Sequence, residues 1–117
     1  MRTLNDYFLT SKMTTISTGG SYFVTAPDSG KIQKIYVTLK NAISSANAAL
    51  SFEIGGVAVG GGAITVPHSG SAAGTVHHAT PSSANYVPEG TPIEMITDGA
   101  SSTACEVEVT FVIRRMG

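Results

Sequence analysis

At 117 residues and 12.0 kDa the chain has room for one hydrophobic core, and only 13% of it is charged, about half the usual share of a soluble domain. Seven Lys and Arg against eight Asp and Glu leave a formal net charge of −1, with a mean hydropathy of +0.17. The basic residues Arg2, Lys12, Lys31, Lys34, Lys40, Arg114 and Arg115 are dispersed, which argues against a nucleic-acid partner, because neutralising phosphates needs a clustered basic surface. No stretch approaches the roughly 20 apolar residues of a membrane-spanning helix, and the first residues lack the apolar run of a signal peptide. A domain of this size must turn much of its chain outwards. Here Ser, Thr, Ala and Gly fill those positions in place of Lys and Glu, so little electrostatic repulsion opposes association.

In chain order, residues 1–20 read as an N-terminal arm. Leu4, Tyr7, Phe8 and Leu9 are apolar without clean alternation, and the spacing of Leu4, Tyr7 and Phe8 fits one helical turn with Thr3 or Asn5 as its cap. The same residues also suit an edge strand or a lid over the core. From residue 21 to 117 the pattern is that of a β-domain. Ser21 to Ala26 reads as a strand ending in Pro27-Asp28-Ser29-Gly30, a turn in which proline presets φ and glycine serves a left-handed position. In Lys31 to Lys40, Ile35, Val37 and Leu39 alternate with Lys34, Tyr36 and Thr38, the signature of a half-buried strand.

Asn41 to Ala49 suits a loop or a single helical turn. Leu50, Phe52 and Ile54 alternate with Ser51 and Glu53, meet Gly55-Gly56, and resume at Val57 and Val59, which predicts a tight hairpin. Short strands follow at 63–66, 75–79 and 93–97, with a turn at Pro88-Glu89-Gly90. The last strand, Glu106 to Arg114, sets Val107, Val109, Phe111 and Ile113 on one face and Glu106, Glu108, Thr110 and Arg114 on the other. Short strands punctuated at regular intervals predict an all-β, single-domain antiparallel β-sandwich of jelly-roll type.

Signals for chemistry are weak. His77 and His78 are adjacent, so a strand turns them to opposite faces and they cannot chelate one ion with His68; the expectation is no metal and no cofactor. Glu106 and Glu108 share a face, as two catalytic carboxylates would, yet alternation on a polar face produces such pairs by default. Gly60-Gly61-Gly62 and the segment from Gly70 to Gly74 lack the Lys-Ser/Thr of a phosphate-binding loop and the serine placement of a nucleophile elbow. Cys105 stands alone, excludes an internal disulfide and fits synthesis in a reducing cytosol. No hydrolase site can be assembled, and the expectation is a protein that is not an enzyme.

The segments Ile54 to Val66 (IGGVAVGGGAITV), Gly70 to Val76 (GSAAGTV), Ala79 to Asn85 (ATPSSAN) and Thr97 to Thr103 (TDGASST) lead into a final β-strand. Over residues 20–114 this pattern resembles small head decoration (cement) proteins of tailed bacteriophages. It departs from their commonest form in carrying His77-His78 where acidic residues are frequent. The resemblance implies a protein made in the host bacterial cytoplasm that binds the major capsid protein on the outside of the capsid, stabilises the shell, and often forms a trimer. An alternative is a receptor- or carbohydrate-binding module of a tail fibre or baseplate, against which the absence of Trp counts.

The expected contacts to the capsid or to other subunits are Leu4, Tyr7, Phe8 and Leu9 of the arm, together with the Gly/Ala/Ser loops. On this reading, deletion of residues 2–12 leaves the fold intact and abolishes capsid binding.

Overall fold

A computed structural model describes residues 4–115. Ten strands follow one another in the order β1 (Asp6–Met13), β2 (Gly20–Thr25), β3 (Gly30–Leu39), β4 (Ala48–Ile54), β5 (Val57–Ala58), β6 (Ile64–Val66), β7 (Val76–Ala79), β8 (Tyr86–Val87), β9 (Pro92–Thr97) and β10 (Val107–Arg115). They form two five-stranded sheets. The first runs β1-β10-β3-β7 with β8 also on β3, and the second runs β2-β9-β4-β5 with β6 also on β4.

Every ladder is antiparallel, and the pairs are nested. β1 pairs β10, β2 pairs β9 inside that, β3 pairs β7 and β8 inside that again, and β4 pairs β5 and β6 at the centre. Successive pairs alternate between the sheets, so the chain is one long hairpin rolled into a sandwich. That is the jelly-roll arrangement, and it agrees with the sequence-based expectation of fold class.

The inner faces carry the alternating apolar residues of the sequence. Val107, Val109, Phe111 and Ile113 of β10 and Ile35, Val37 and Leu39 of β3 face Leu50 and Phe52 of β4 and Ile93 and Met95 of β9, all buried. Phe52 and Phe111, one from each sheet, meet edge-to-face with ring centroids 5.6 Å apart and planes at 88°. The Gly55-Gly56 hairpin forms between β4 and β5, with φ of +60° and +82° supplying the primed turn. Gly30 does not take the left-handed position expected of it. It opens β3 beside β10, where a Cβ would stand 2.5 Å from the Arg114 carbonyl oxygen, so the requirement is close approach of two backbones. Residues 41–47 are loop, without a helical turn.

For the N-terminal region the sequence leaves an arm, an edge strand and a lid open. Its segment 6–13 is a full edge strand, without a helical turn, in unbroken register with β10 from Asp6 opposite Arg114 to Met13 opposite Val107. Two forces account for this. The outer side of β10 would otherwise leave a row of backbone donors and acceptors without protein partners. Tyr7, Leu9 and Met13 also recur at even spacing, so one face of the segment packs on the core, with Met13 and then Ile16 fully enclosed. β1 thus contributes to the same core as the strands that follow residue 20.

That register bears on the expectation that deleting residues 2–12 leaves the fold intact and abolishes capsid binding. Their removal strips nearly all of β1 from β10, and circular dichroism should report loss of the cooperative melt rather than a folded, binding-deficient domain. Truncating Phe52 to Ala should lower stability by about 3–5 kcal/mol, the usual cost of emptying a buried aromatic site, measurable in a urea titration.

Candidate functional site

The outward residues of the first sheet lie in cross-strand rows fixed by its register. Asp6, Arg114, Lys31 and Tyr86 form one row across β1, β10, β3 and β8. Phe8, Val112 and Lys34 form the next; Thr10, Thr110, Tyr36 and His78 the third; Lys12, Glu108, Thr38 and Val76 the fourth. A bulge in β3 opposite the Val112–Ile113 step keeps both Lys31 and Lys34 on this face. Large apolar side chains stand open to solvent among the cations: Phe8 is 62% exposed, and Val76 and Tyr86 are also exposed. Val112 is the exception. It points to this face yet is only 2% exposed, outside the main core. Lys34 Nζ stands 5.5 Å from the Tyr36 ring centroid and His78 packs obliquely on the same ring, so the centre of the face is a cation-aromatic array.

One end of the face is clamped by ion pairs. Arg114 grips Asp6 with two nitrogens, at 2.8 Å and 3.3 Å, and the Asp6 side chain is completely enclosed. The hydrogen bond to Asp6 raises the pKa of Arg114 above its ordinary value. Arg115 lies over the Tyr7 ring and donates to Asp28 at 3.0 Å, while the Tyr7 hydroxyl donates to the Asp28 carbonyl at 2.6 Å. Partial burial raises the pKa of Tyr7 above 10.0. These contacts tie the start of β1 to the β2–β3 turn.

The four residues expected as contacts divide into two pairs. Leu4 is fully exposed and Phe8 projects from the outer face. Tyr7 and Leu9 turn inward and pack against the core. Sequence reasoning overlooked Val76, Tyr86, Tyr36, Lys31 and Lys34 as neighbours of Phe8, because the register that aligns them is set by pairing between distant segments. One signal was present: Phe111-Val112-Ile113 interrupts the alternation of β10 and marks an apolar position on the outer face.

Charge is segregated between the two outer faces. Every Lys and Arg among the described residues lies on β1, β3 or β10, or directly after β3 in the case of Lys40. The second sheet presents Glu53 opposite Glu94 and Glu94 opposite Phe23, with Ser21 donating to Glu94 at 2.5 Å. Phe23 is 62% exposed.

The chemistry-bearing residues do not converge. His68 Nδ1 is 2.9 Å from the Asn47 side chain, while His78 packs on Tyr36. Glu106 pairs with Lys12 at 3.5 Å. Cys105 is buried, and among the described residues no group of three or more His, Cys, Asp or Glu could hold a metal ion. The arrangement offers an interaction face.

Comparison with known proteins returns the fold. No family model and no curated protein matches the sequence. Among solved structures, a chain of the acid-stable capsid structure of Helicobacter pylori bacteriophage KHP30 aligns with a TM-score of 0.56 at 9% identity, over 93% of this chain and 86% of that one. A chain of the cyanophage Pam1 capsid aligns at TM-score 0.48 and 15% identity, over 99% and 90%. The P-domain of Macrobrachium rosenbergii nodavirus aligns at 0.35 and 10%, over 93% and 92%. At these identities the KHP30 likeness establishes a shared fold.

Raising the pH tests the clamp at the start of β1. Because the folded pKa of Tyr7 is raised, its contribution to stability is present below pH 10 and is lost as pH rises through the folded value. The melting temperature of the wild type should fall in that alkaline range, and Tyr7→Phe should show a shallower decline.

Proposed function

We propose that this chain is a non-enzymatic structural protein of a bacteriophage virion, which decorates the outside of the capsid and stabilises the shell by binding the major capsid protein. The observation that carries the reading is the outer face of the first sheet, where Phe8, Val76 and Tyr86 stand exposed among Lys31 and Lys34, with Leu4 exposed at the N-terminal end. Exposed large apolar residues set among polar ones suit a protein partner, and the cations favour one with acidic groups. The fold shared with a chain of the KHP30 capsid structure supports the same reading. The two chains are also of comparable length, since their alignment spans most of each.

In this reading Leu4 and Phe8 touch the capsid, whereas Tyr7 and Leu9 act by shaping β1 from beneath. Repetition over a closed shell multiplies modest contacts, so each copy needs to bury only on the order of 1,000 Å².

The test is quantitative mass spectrometry of purified virions, followed by binding of the purified protein to capsids stripped of it. Hundreds of copies per particle are expected; a handful would place the chain in the tail or at a vertex, and absence would end the reading. Phe8→Asp should weaken capsid binding by about 30-fold, the effect of losing a central apolar anchor, without changing the melting temperature. Undiminished binding by that folded variant would remove Phe8 from the interface.

A further inference from the structure

We propose that copies of this chain associate front to back, the cationic outer face of one copy's first sheet seated on the acidic outer face of the next copy's second sheet. The argument begins with the charges that the fold does not itself neutralise. Lys12, Arg114 and Arg115 pair with Glu106, Asp6 and Asp28. Among the described residues Lys31, Lys34 and Lys40 pair with no carboxylate, and Lys31 and Lys34 stand on one face of β3. On the second sheet the reverse holds. Glu53 lies directly opposite Glu94, and no Lys or Arg of the described residues belongs to that sheet.

Like charges facing each other across a ladder are destabilising, and a cation brought against them relieves the repulsion. Within the sheet Glu94 accepts from the Ser21 hydroxyl, which carries no charge. Phe23 stands in the same row, 62% exposed. The face therefore combines an aromatic anchor with uncompensated negative charge, which suits a partner that is apolar and cationic at once.

The first sheet of a second copy is such a partner, and its spacing matches. Phe8, Val112 and Lys34 form one row across β1, β10 and β3. Phe23, Glu94 and Glu53 form one row across β2, β9 and β4. Each row sets a phenylalanine on an edge strand and a charge two strands away, about 10 Å at the usual strand spacing. The two charges have opposite sign. Laid face to face, Phe8 meets Phe23 while Lys34 meets Glu53, and Glu94 lies between the two contacts. At the far end of the first face Lys12 lies beside Glu106 and is paired in register with Glu108, so the positive charge is concentrated at Lys31 and Lys34.

Twofold pairing of either face with itself would set lysines on lysines or carboxylates on carboxylates, so charge selects the heterologous contact. Such a contact leaves one face of each kind open, and growth continues past two copies unless the stack closes into a ring. The first face is also the surface that the capsid reading assigns to the shell. The two occupants exclude each other, so stacking covers that face in the free protein and the capsid displaces the neighbouring copy. Only this last step rests on the capsid reading, and self-association is measured without capsids.

Sedimentation equilibrium of the full chain should give a mean mass that rises above the 12.0 kDa chain mass with concentration. It should fall back in roughly 1 M salt, which screens charges beyond about 3 Å. Lys34→Glu and Glu53→Lys should each give single-chain mass with the circular dichroism spectrum of the wild type. An equimolar mixture of these two variants should associate again, because each altered face then meets its altered complement. A wild type of single-chain mass up to its solubility limit, single variants that associate undiminished, or a mixture that stays dissociated each overturns the proposal. If a charge reversal fails to fold, Phe23→Ser decides: single-chain mass supports the stack, and undiminished association overturns it. The outcomes also separate this inference from the capsid reading. A wild type that stays single and still binds capsids removes only the stack, and one that stacks but is absent from virions removes only the capsid role.

Discussion

The edge-to-face meeting of Phe52 and Phe111 is the contact on which the rest of the molecule depends. With no helix among the described residues to cover either sheet, each inner face can leave water only against the other. These two rings are the largest fully buried side chains and come from opposite sheets. Around them β4, β9, β10 and β3 lay down aliphatic residues at every second position. Because the core consumes one face of each sheet, the opposite faces, the edges and the loops are all that remains for recognition.

The low charge of the surface has a structural counterpart in the loops. At one end of the sandwich, segments 41–47 and 98–105 are stitched together by hydroxyls: Ser44 to Thr103, Ser102 to Ser45, and Ser101 to the Ser44 carbonyl. Ser71 closes a neighbouring loop by donating to the Ile43 carbonyl while accepting from the Ile43 N–H. Many small polar residues that composition alone would assign to association therefore satisfy the chain's own backbone and one another. The residues left for a partner are fewer and larger: Leu4, Phe8, Phe23, Val57, Val76 and Tyr86.

β1 joins these two aspects. Its inward side chains, Tyr7, Leu9 and Met13, belong to the core or pack on it, and its first residues are held by Asp6–Arg114 and by Tyr7 with Asp28. Its outward side chain Phe8 belongs to the exposed face. A strand so used must stay straight and regular, which its unbroken register with β10 reflects. The segregation of cations onto this sheet and of the Glu53–Glu94 pair onto the other gives the two outer faces different electrostatic preferences, although the chain as a whole is nearly neutral.

The sequence by itself determined the fold class and the interior. Period-2 alternation in β3, β4 and β10 names the buried residues directly, and Gly55-Gly56 names the hairpin, because burial on one face of a strand and the primed turn are local constraints written in adjacent residues. It left residues 4–9 open between a helical turn and an edge strand, because Leu4, Tyr7 and Phe8 stand at helical spacing; an edge strand buries only part of one face, so its alternation is weak and Phe8 could point outwards without penalty. It also assigned Gly30 to a left-handed turn, when the need came from β10, more than eighty residues further along. Only the tertiary structure decided which outward residues stand together. Phe8, Lys34, Tyr36 and Tyr86 share one face because nested pairing brings residues 6–13, 30–39, 86–87 and 107–115 side by side, and such long-range register leaves no trace in any single stretch of sequence.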